Sequence, residues 1–174
     1  HFLAGAGVEE GVPPVPTGSG VTLNSYYLRP RSRGRVALTS ADPAVAPLVD
    51  PNYLAEPGDL AMSVEGLKLM REIMGQPVFA RYLAGEHLPG AAIRSDAECA
   101  DYIRRQGRTC YHPVGTCRMG SDAGAVVDPQ LRLRGIERLR VCDSSVMPSL
   151  VSSNTNAPSI MIGEKASDLV RGNR

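Results

Sequence analysis

The chain has no tryptophan, two phenylalanines and six tyrosines among 174 residues, so its core has to be built from aliphatic side chains rather than large rings. It has no surplus of either charge. Nineteen Lys and Arg stand against eighteen Asp and Glu, a formal net charge of +1, which excludes partners chosen by bulk electrostatics: no basic stripe for nucleic acid and no polybasic patch for a membrane surface. No apolar stretch approaches the length that crosses a bilayer. The opening HFLAGAGVEEG lacks the charged and apolar regions of a signal peptide. It also lacks an initiator methionine, so the chain is expected to be a fragment of a longer polypeptide. Cysteine is sparse. Cys99, Cys110, Cys117 and Cys142 are too few for a disulfide-stapled secreted domain, which points to free thiols in a reducing compartment and to a cytoplasmic location.

What is present is 43% hydrophobic residues, enough to bury one core or two small ones. The Pro/Gly/Ser-rich GVPPVPTGSG (11–20) cannot hold regular structure. VTLNSYYLRP (21–30) reads as a strand ending at a proline. RSRGRVALTS (31–40) alternates as a half-buried strand does, and the two are expected to pair as an antiparallel hairpin. ADPAVAPLVDPNYLAEPGD is punctuated by Pro43, Pro47, Pro51 and Pro57 and reads as a loop whose last residue, Asp59, caps a helix. That helix, LAMSVEGLKLMREIMG, places Leu60, Val64, Leu67 and Met74 on one face, widened by Met62, Leu69 and Ile73, and stops at Gly75 and Pro77. SDAECADYIRRQG starts a second helix with the capping box Ser95 and Glu98 and ends it at Gly107. QLRLRG and RLRVCD are strand-like, and NTNAPSIMIGEKASDLVRG is a helix with Pro158 near its first turn. The fold class is α+β, with antiparallel strands and helices followed by a strand, a turn and a helix.

Chemistry concentrates in CYHPVGTCRMG (110–120), where one histidine lies between two cysteines in a stretch that proline and glycine keep out of a helix. Three readings of His112 are open: metal ligand, buried packing residue, or base. Cys110, His112, Cys117 and Cys142 could form a tetrahedral set, but the C-x-H-x4-C spacing lacks the tight ligand pairs of structural zinc sites. No metal site is assigned. A base is chemically apt, because oxidising an alcohol by hydride transfer requires a group that titrates near neutrality beside the hydroxyl oxygen.

HPVGTCRMG, VVDPQLRLRGIERLRVCDSSVMPSL and SSNTNAPSIMIGEKASDLV, in that order, resemble the C-terminal signature of the glucose–methanol–choline oxidoreductases, flavoprotein alcohol oxidases and dehydrogenases. GRVALTSADPAVAPLVDPNYL and the helix after it are similar to that family's substrate-binding domain, so the resemblance covers nearly the whole chain. It implies a substrate-binding domain over 1–107, and an active-site motif with a strand and helix returning to the FAD-binding domain over 108–174. It implies FAD as cofactor, a small-molecule alcohol as substrate, and the enzyme's own N-terminal FAD-binding domain as partner. His112 would face the flavin, and Asn154 would hold the second active-site position, where relatives carry histidine or asparagine. Val114, Asp143, Ser144, Asn156, Ala157 and Pro158 would lie against the cofactor.

Asn154 suits its place because it donates a hydrogen bond without changing charge near neutral pH; capping the last helix is its other reading. The amides at that helix's N-terminus suit the negative charge a flavin ring gains with hydride. One departure matters: no G-x-G-x-x-G occurs in the chain, so the phosphate cradle for the dinucleotide has to come from elsewhere. The chain alone would then bind flavin weakly and expose apolar surface near Val141, Ile160 and Leu169. The same fold also accommodates a hydroxynitrile lyase, which keeps flavin without using its redox chemistry, and an isolated fragment without activity of its own. No aromatic cage for a quaternary ammonium is evident in the sequence, although choline dehydrogenases are the nearest flavour of the resemblance.

Overall fold

The computed structural model describes residues 1–5 and 19–172; the Pro/Gly/Ser-rich stretch read at 11–20 lies mostly outside the described residues. The class is α+β. Among the described residues four short strands, β1 (Phe2–Leu3), β2 (Thr22–Leu23), β3 (Arg35–Ala37) and β4 (Leu48–Asp50), precede the helices α1 (Pro57–Met74), α2 (Asp96–Gln106) and α3 (Asn156–Arg171). The chain divides into two compact units, one of His1–Tyr27 with Leu54–Arg108, the other of Leu28–Tyr53 with Thr109–Arg174.

In the first unit β1 and β2 pair antiparallel, Phe2 opposite Leu23 and Leu3 opposite Thr22. The helices carry the core: Val64 and Leu67 of α1 and Cys99 of α2 are buried together, with Met70, Ile93, Tyr102 and Ile103 packed around them. Of the expected wide apolar face of α1, Met62, Leu69 and Ile73 are exposed, so the helix buries a narrower stripe than its composition suggests. It also starts earlier than expected. Pro57 takes its first turn, where the missing N–H costs nothing and φ is already set, and Asp59 is a buried first-turn residue rather than the cap. Arg71 fixes the far end by clamping Glu86, its Nε 3.1 Å from each carboxylate oxygen, and Glu86 holds the guanidinium pKa above its ordinary value.

The start of α2 is as read. The Ser95 side chain accepts from the Glu98 amide at 3.3 Å, while Glu98 Oε2 accepts from the Ser95 amide at 2.8 Å and from the Arg94 amide at 2.9 Å. Those donors, with the Ser95 amide first, hold the Glu98 carboxyl below its ordinary pKa. A depressed carboxyl contributes stability that is present above the ordinary glutamate range and is lost as pH falls through the folded value. Ser95→Ala removes the cap on the Glu98 amide and is expected to cost about 1 kcal/mol in denaturant titrations near neutral pH. An unfolding midpoint equal to that of the wild type would show that this cap does not stabilise the helix.

In the second unit β3 pairs with β4, Arg35 opposite Asp50 and Ala37 opposite Leu48. This corrects two expectations: residues 21–30 and 31–40 do not form a hairpin, and the proline-rich stretch is not wholly loop, since Leu48–Asp50 is a strand. Leu48-Val49-Asp50 lies between Pro47 and Pro51, and that proline-free window supplies the amides β3 needs. Gly34 sits where a Cβ would collide with the Asp50 carbonyl and the Pro51 backbone, so the approach of the two segments requires glycine there.

QLRLRG and RLRVCD form single bridges rather than strands, Val127 with Leu133 and Arg132 with Arg140. Asp128 dictates this: its Oδ1 accepts from the amides of Gln130 and Arg132, each at 2.9 Å, and winds the segment into a turn before it can extend. The core of this unit joins Val127, Leu131, Val146 and Met147 to Ile162 and Ala166 of α3. Val141 and Leu169, expected at an exposed apolar surface, pack against this core instead, whereas Ile160 is exposed as expected.

Candidate active site

The 110–120 stretch folds as a loop because its sequence demands unusual backbone. Tyr111 has φ 62° and Gly115 φ 92°, the second a conformation that favours glycine. The Tyr111 amide donates to Thr109 Oγ1 at 3.0 Å, and Thr109 Oγ1 also meets the Tyr53 hydroxyl at 2.8 Å, so the approach to His112 is anchored. Beyond His112 the loop is tied to the short 3-10 turn Ser144–Val146. The amides of Cys117 and Met119 donate to the carbonyls of Ser145 and Val146 at 3.0 and 2.8 Å.

His112 is half-buried, and its ring is held from α3. Nδ1 lies 2.7 Å from Thr155 Oγ1 and 3.4 Å from the Thr155 amide nitrogen. Thr155, 7% exposed, is the N-cap residue of α3. It makes no side-chain cap, and the local sequence explains why. An N-cap hydroxyl ordinarily accepts from the second or third amide of its helix with its own backbone extended, whereas Thr155 has helical φ −83° and ψ −1° and the third helical residue is Pro158, which has no amide. Ser159 instead braces Thr155 through its main chain, with its amide and its Oγ donating to the Thr155 carbonyl at 2.9 and 2.6 Å.

The other sequence-derived residues fall into two groups. Asn154, Asn156 and Ala157 are exposed at the N-terminal end of α3, with Pro158 half-buried behind them. Asn154 does not cap the helix; it lies one residue ahead of the N-cap. Through the bond between His112 and Thr155 the structure brings this group to the histidine. Asp143 and Ser144 lie at the turn tied to the 115–119 backbone, where Asp143 Oδ1 accepts from the Ser145 amide at 2.7 Å and caps the turn. The Val114 side chain packs against the core of the unit. Among the described residues no group of three or more His, Cys, Asp or Glu side chains is placed to hold a metal ion, and all four cysteines are free thiols. Asp122 serves the loop's far side. Arg118 grips its two oxygens at 2.9 and 2.6 Å and holds its carboxyl well below the usual carboxylate range. A groove of about 500 Å³ lies between α1 and α2, lined among others by Leu60, Val64, Ala97 and Arg104, and none of the site residues borders it.

The residue that sequence reasoning missed is Thr155. TNAP contained the signal, since a threonine three positions before a proline loses the amide it would cap, but nothing in the local pattern names His112, 43 residues away, as its partner.

The family model described as GMC oxidoreductase matches residues 30–163. The chain belongs to the GMC oxidoreductase family. It is 48% identical over 156 residues to an alcohol dehydrogenase [acceptor] of Pseudomonas putida, covering 90% of this chain and 28% of that protein. It is 42% identical over 174 residues to the mitochondrial choline dehydrogenase of Homo sapiens, covering 99% of this chain and 29% of that one. Among solved structures it superposes on pyridoxine 4-oxidase from Mesorbium loti with TM-score 0.82 at 33% identity, over 95% of this chain and 32% of that one. Formate oxidase of Aspergillus oryzae RIB40, described with FAD modification, gives TM-score 0.87 at 30% identity, over 93% and 29%. The chain thus spans less than a third of the length of these relatives. Among the described residues no helix is long and apolar enough to cross a membrane.

Proposed function

We propose that this chain is the C-terminal part of an FAD-dependent oxidoreductase that oxidises a small alcohol, with His112 as the group that takes the hydroxyl proton. The observation that carries this reading is the fixing of His112 through Nδ1 by the N-cap of α3, which leaves Nε2 as the nitrogen available to a substrate. Nearby features fit a flavin. The N-terminal turn of α3 is exposed at Asn156 and Ala157 and carries the positive end of a sixteen-residue helix dipole. Those residues, with Pro158, Val114, Asp143 and Ser144, would hold the ring. The flavin, when bound, supplies the hydride acceptor.

The chain's own residues do the rest. His112 Nε2 accepts the hydroxyl proton as the carbon-bound hydrogen leaves, and Asn154 donates a hydrogen bond to the oxygen as its negative charge develops. Because Asn154 does not titrate near neutral pH, it positions the oxygen without competing for the proton. Residues 1–107 would shape the substrate side and 108–174 the flavin side, with the dinucleotide's phosphates held by the N-terminal part of the same enzyme. The relatives named for alcohol and choline oxidation support an alcohol as the substrate class.

The test is anaerobic mixing of the complete, flavin-loaded enzyme with a panel of primary and secondary alcohols. Bleaching of the flavin by at least one of them is expected. Cleavage of a cyanohydrin with no bleaching by any alcohol would replace this reading with a lyase.

A further inference from the structure

The proposed role of His112 makes a demand on its other nitrogen. An imidazole that is to take a proton at Nε2 must keep a lone pair there, so its one ring hydrogen has to sit on Nδ1 and needs an acceptor. The position of that hydrogen follows from the partners around the ring, and Nδ1 has two, both from Thr155. They differ in what they allow. The backbone amide, at 3.4 Å, can only donate, which favours a bare Nδ1 and a hydrogen on Nε2, the wrong form for a base. The hydroxyl, at 2.7 Å, can donate or accept, so it fits either form, and it is the one of the two that can take a ring hydrogen from Nδ1. Its contact has an ordinary hydrogen-bond length, whereas the amide contact is at the long end.

We infer that Thr155 is a positioning residue that sets the tautomer of His112: its hydroxyl accepts Nδ1–H and so keeps the Nε2 lone pair aimed at the substrate oxygen. The surrounding structure serves this. Pro158 withholds one of the two amides that could engage the hydroxyl as a helix cap, Ser159 pins the Thr155 carbonyl with two bonds, and the burial of Thr155 limits competition from water. The inference rests on His112 acting as the proton acceptor, but its structural half can be read without any turnover.

Thr155→Val keeps the shape and the backbone amide and removes the acceptor, so only the donor remains at Nδ1. Thr155→Ser restores the acceptor. In the complete enzyme labelled with 15N-histidine, the His112 signals are identified by their loss in His112→Asn. The wild type and Thr155→Ser are expected to show neutral His112 protonated at Nδ1, and Thr155→Val to show it protonated at Nε2. Flavin reduction by alcohol should slow about tenfold or more in the valine variant and recover in the serine variant, as befits loss of a correctly oriented acid–base group. Wild-type His112 protonated at Nε2 would overturn the inference, and this decides the matter even if the valine variant fails to fold. An unchanged tautomer and rate in a folded Thr155→Val would overturn it too, while leaving His112 as base if His112→Ala is still slow. If the tautomer moves as expected but no alcohol reduces the flavin, the positioning role stands and the functional reading falls.

Discussion

His112→Ala in the complete enzyme is expected to slow flavin reduction by on the order of a hundredfold or more, with flavin content unchanged. The magnitude follows from what is lost: alanine leaves no base at the hydroxyl, so the proton has to leave to water as hydride departs. Alkaline pH should recover part of the rate, because a substrate already losing its proton to solvent needs the histidine less. The loop around the site does not depend on the imidazole for its shape. Its backbone is held by the Cys117 and Met119 amides on Ser145 and Val146, and Tyr111 by Thr109. Stopped-flow traces superposable on wild type would remove His112 from the chemistry.

Ile162→Ala is expected to lower stability by about 2–5 kcal/mol, read as an earlier unfolding midpoint in denaturant, the usual cost of truncating a fully packed aliphatic side chain. Ile162, with the smaller Ala166, is the side chain by which α3 enters the core of Val127, Leu131, Val146 and Met147. Those residues hold the turn at 144–146 and the bridges around Val127, and the helix bearing Ile162 carries Thr155 at its head. The cavity would therefore loosen the seat of the histidine as well as the fold. Flavin reduction should fall along with stability, by less than in His112→Ala. A midpoint within about 0.5 kcal/mol of wild type, the range of ordinary surface changes, would mean that α3 is anchored by something other than this face.

The parts of the fold legible in the sequence are those set by near neighbours along the chain. Ser95 and Glu98 specify the start of α2 on their own, since both bonds of the capping box close within four residues, and Gly75 and Gly107 mark where helices stop. Strand pairing was not legible. β3 has an alternating pattern that fits any partner, and the choice of Leu48–Asp50 over Thr22–Leu23 depends on the close approach that Gly34 permits to Asp50 and Pro51. Extended-looking QLRLRG failed for a different reason, because one carboxylate, Asp128, bonds two nearby amides and outcompetes the ladder. Within the site, His112 and the head of α3 were legible as motif residues, but their connection was not. Thr155 looks like a helix cap, and only the fold shows its hydroxyl turned to the histidine.

In the proposed reaction an alcohol gives up a proton to His112 and a hydride to flavin. The measurement closest to it is stopped-flow reduction of the complete enzyme under anaerobic conditions, with one alcohol in protiated form and in a form deuterated at the carbinol carbon. The flavin is expected to bleach in a single substrate-dependent phase, deuteration to slow this phase, and the slowing to persist in His112→Ala at its lower rate. Flavin that stays oxidised with every alcohol offered, while the enzyme remains folded and flavin-loaded, would contradict it.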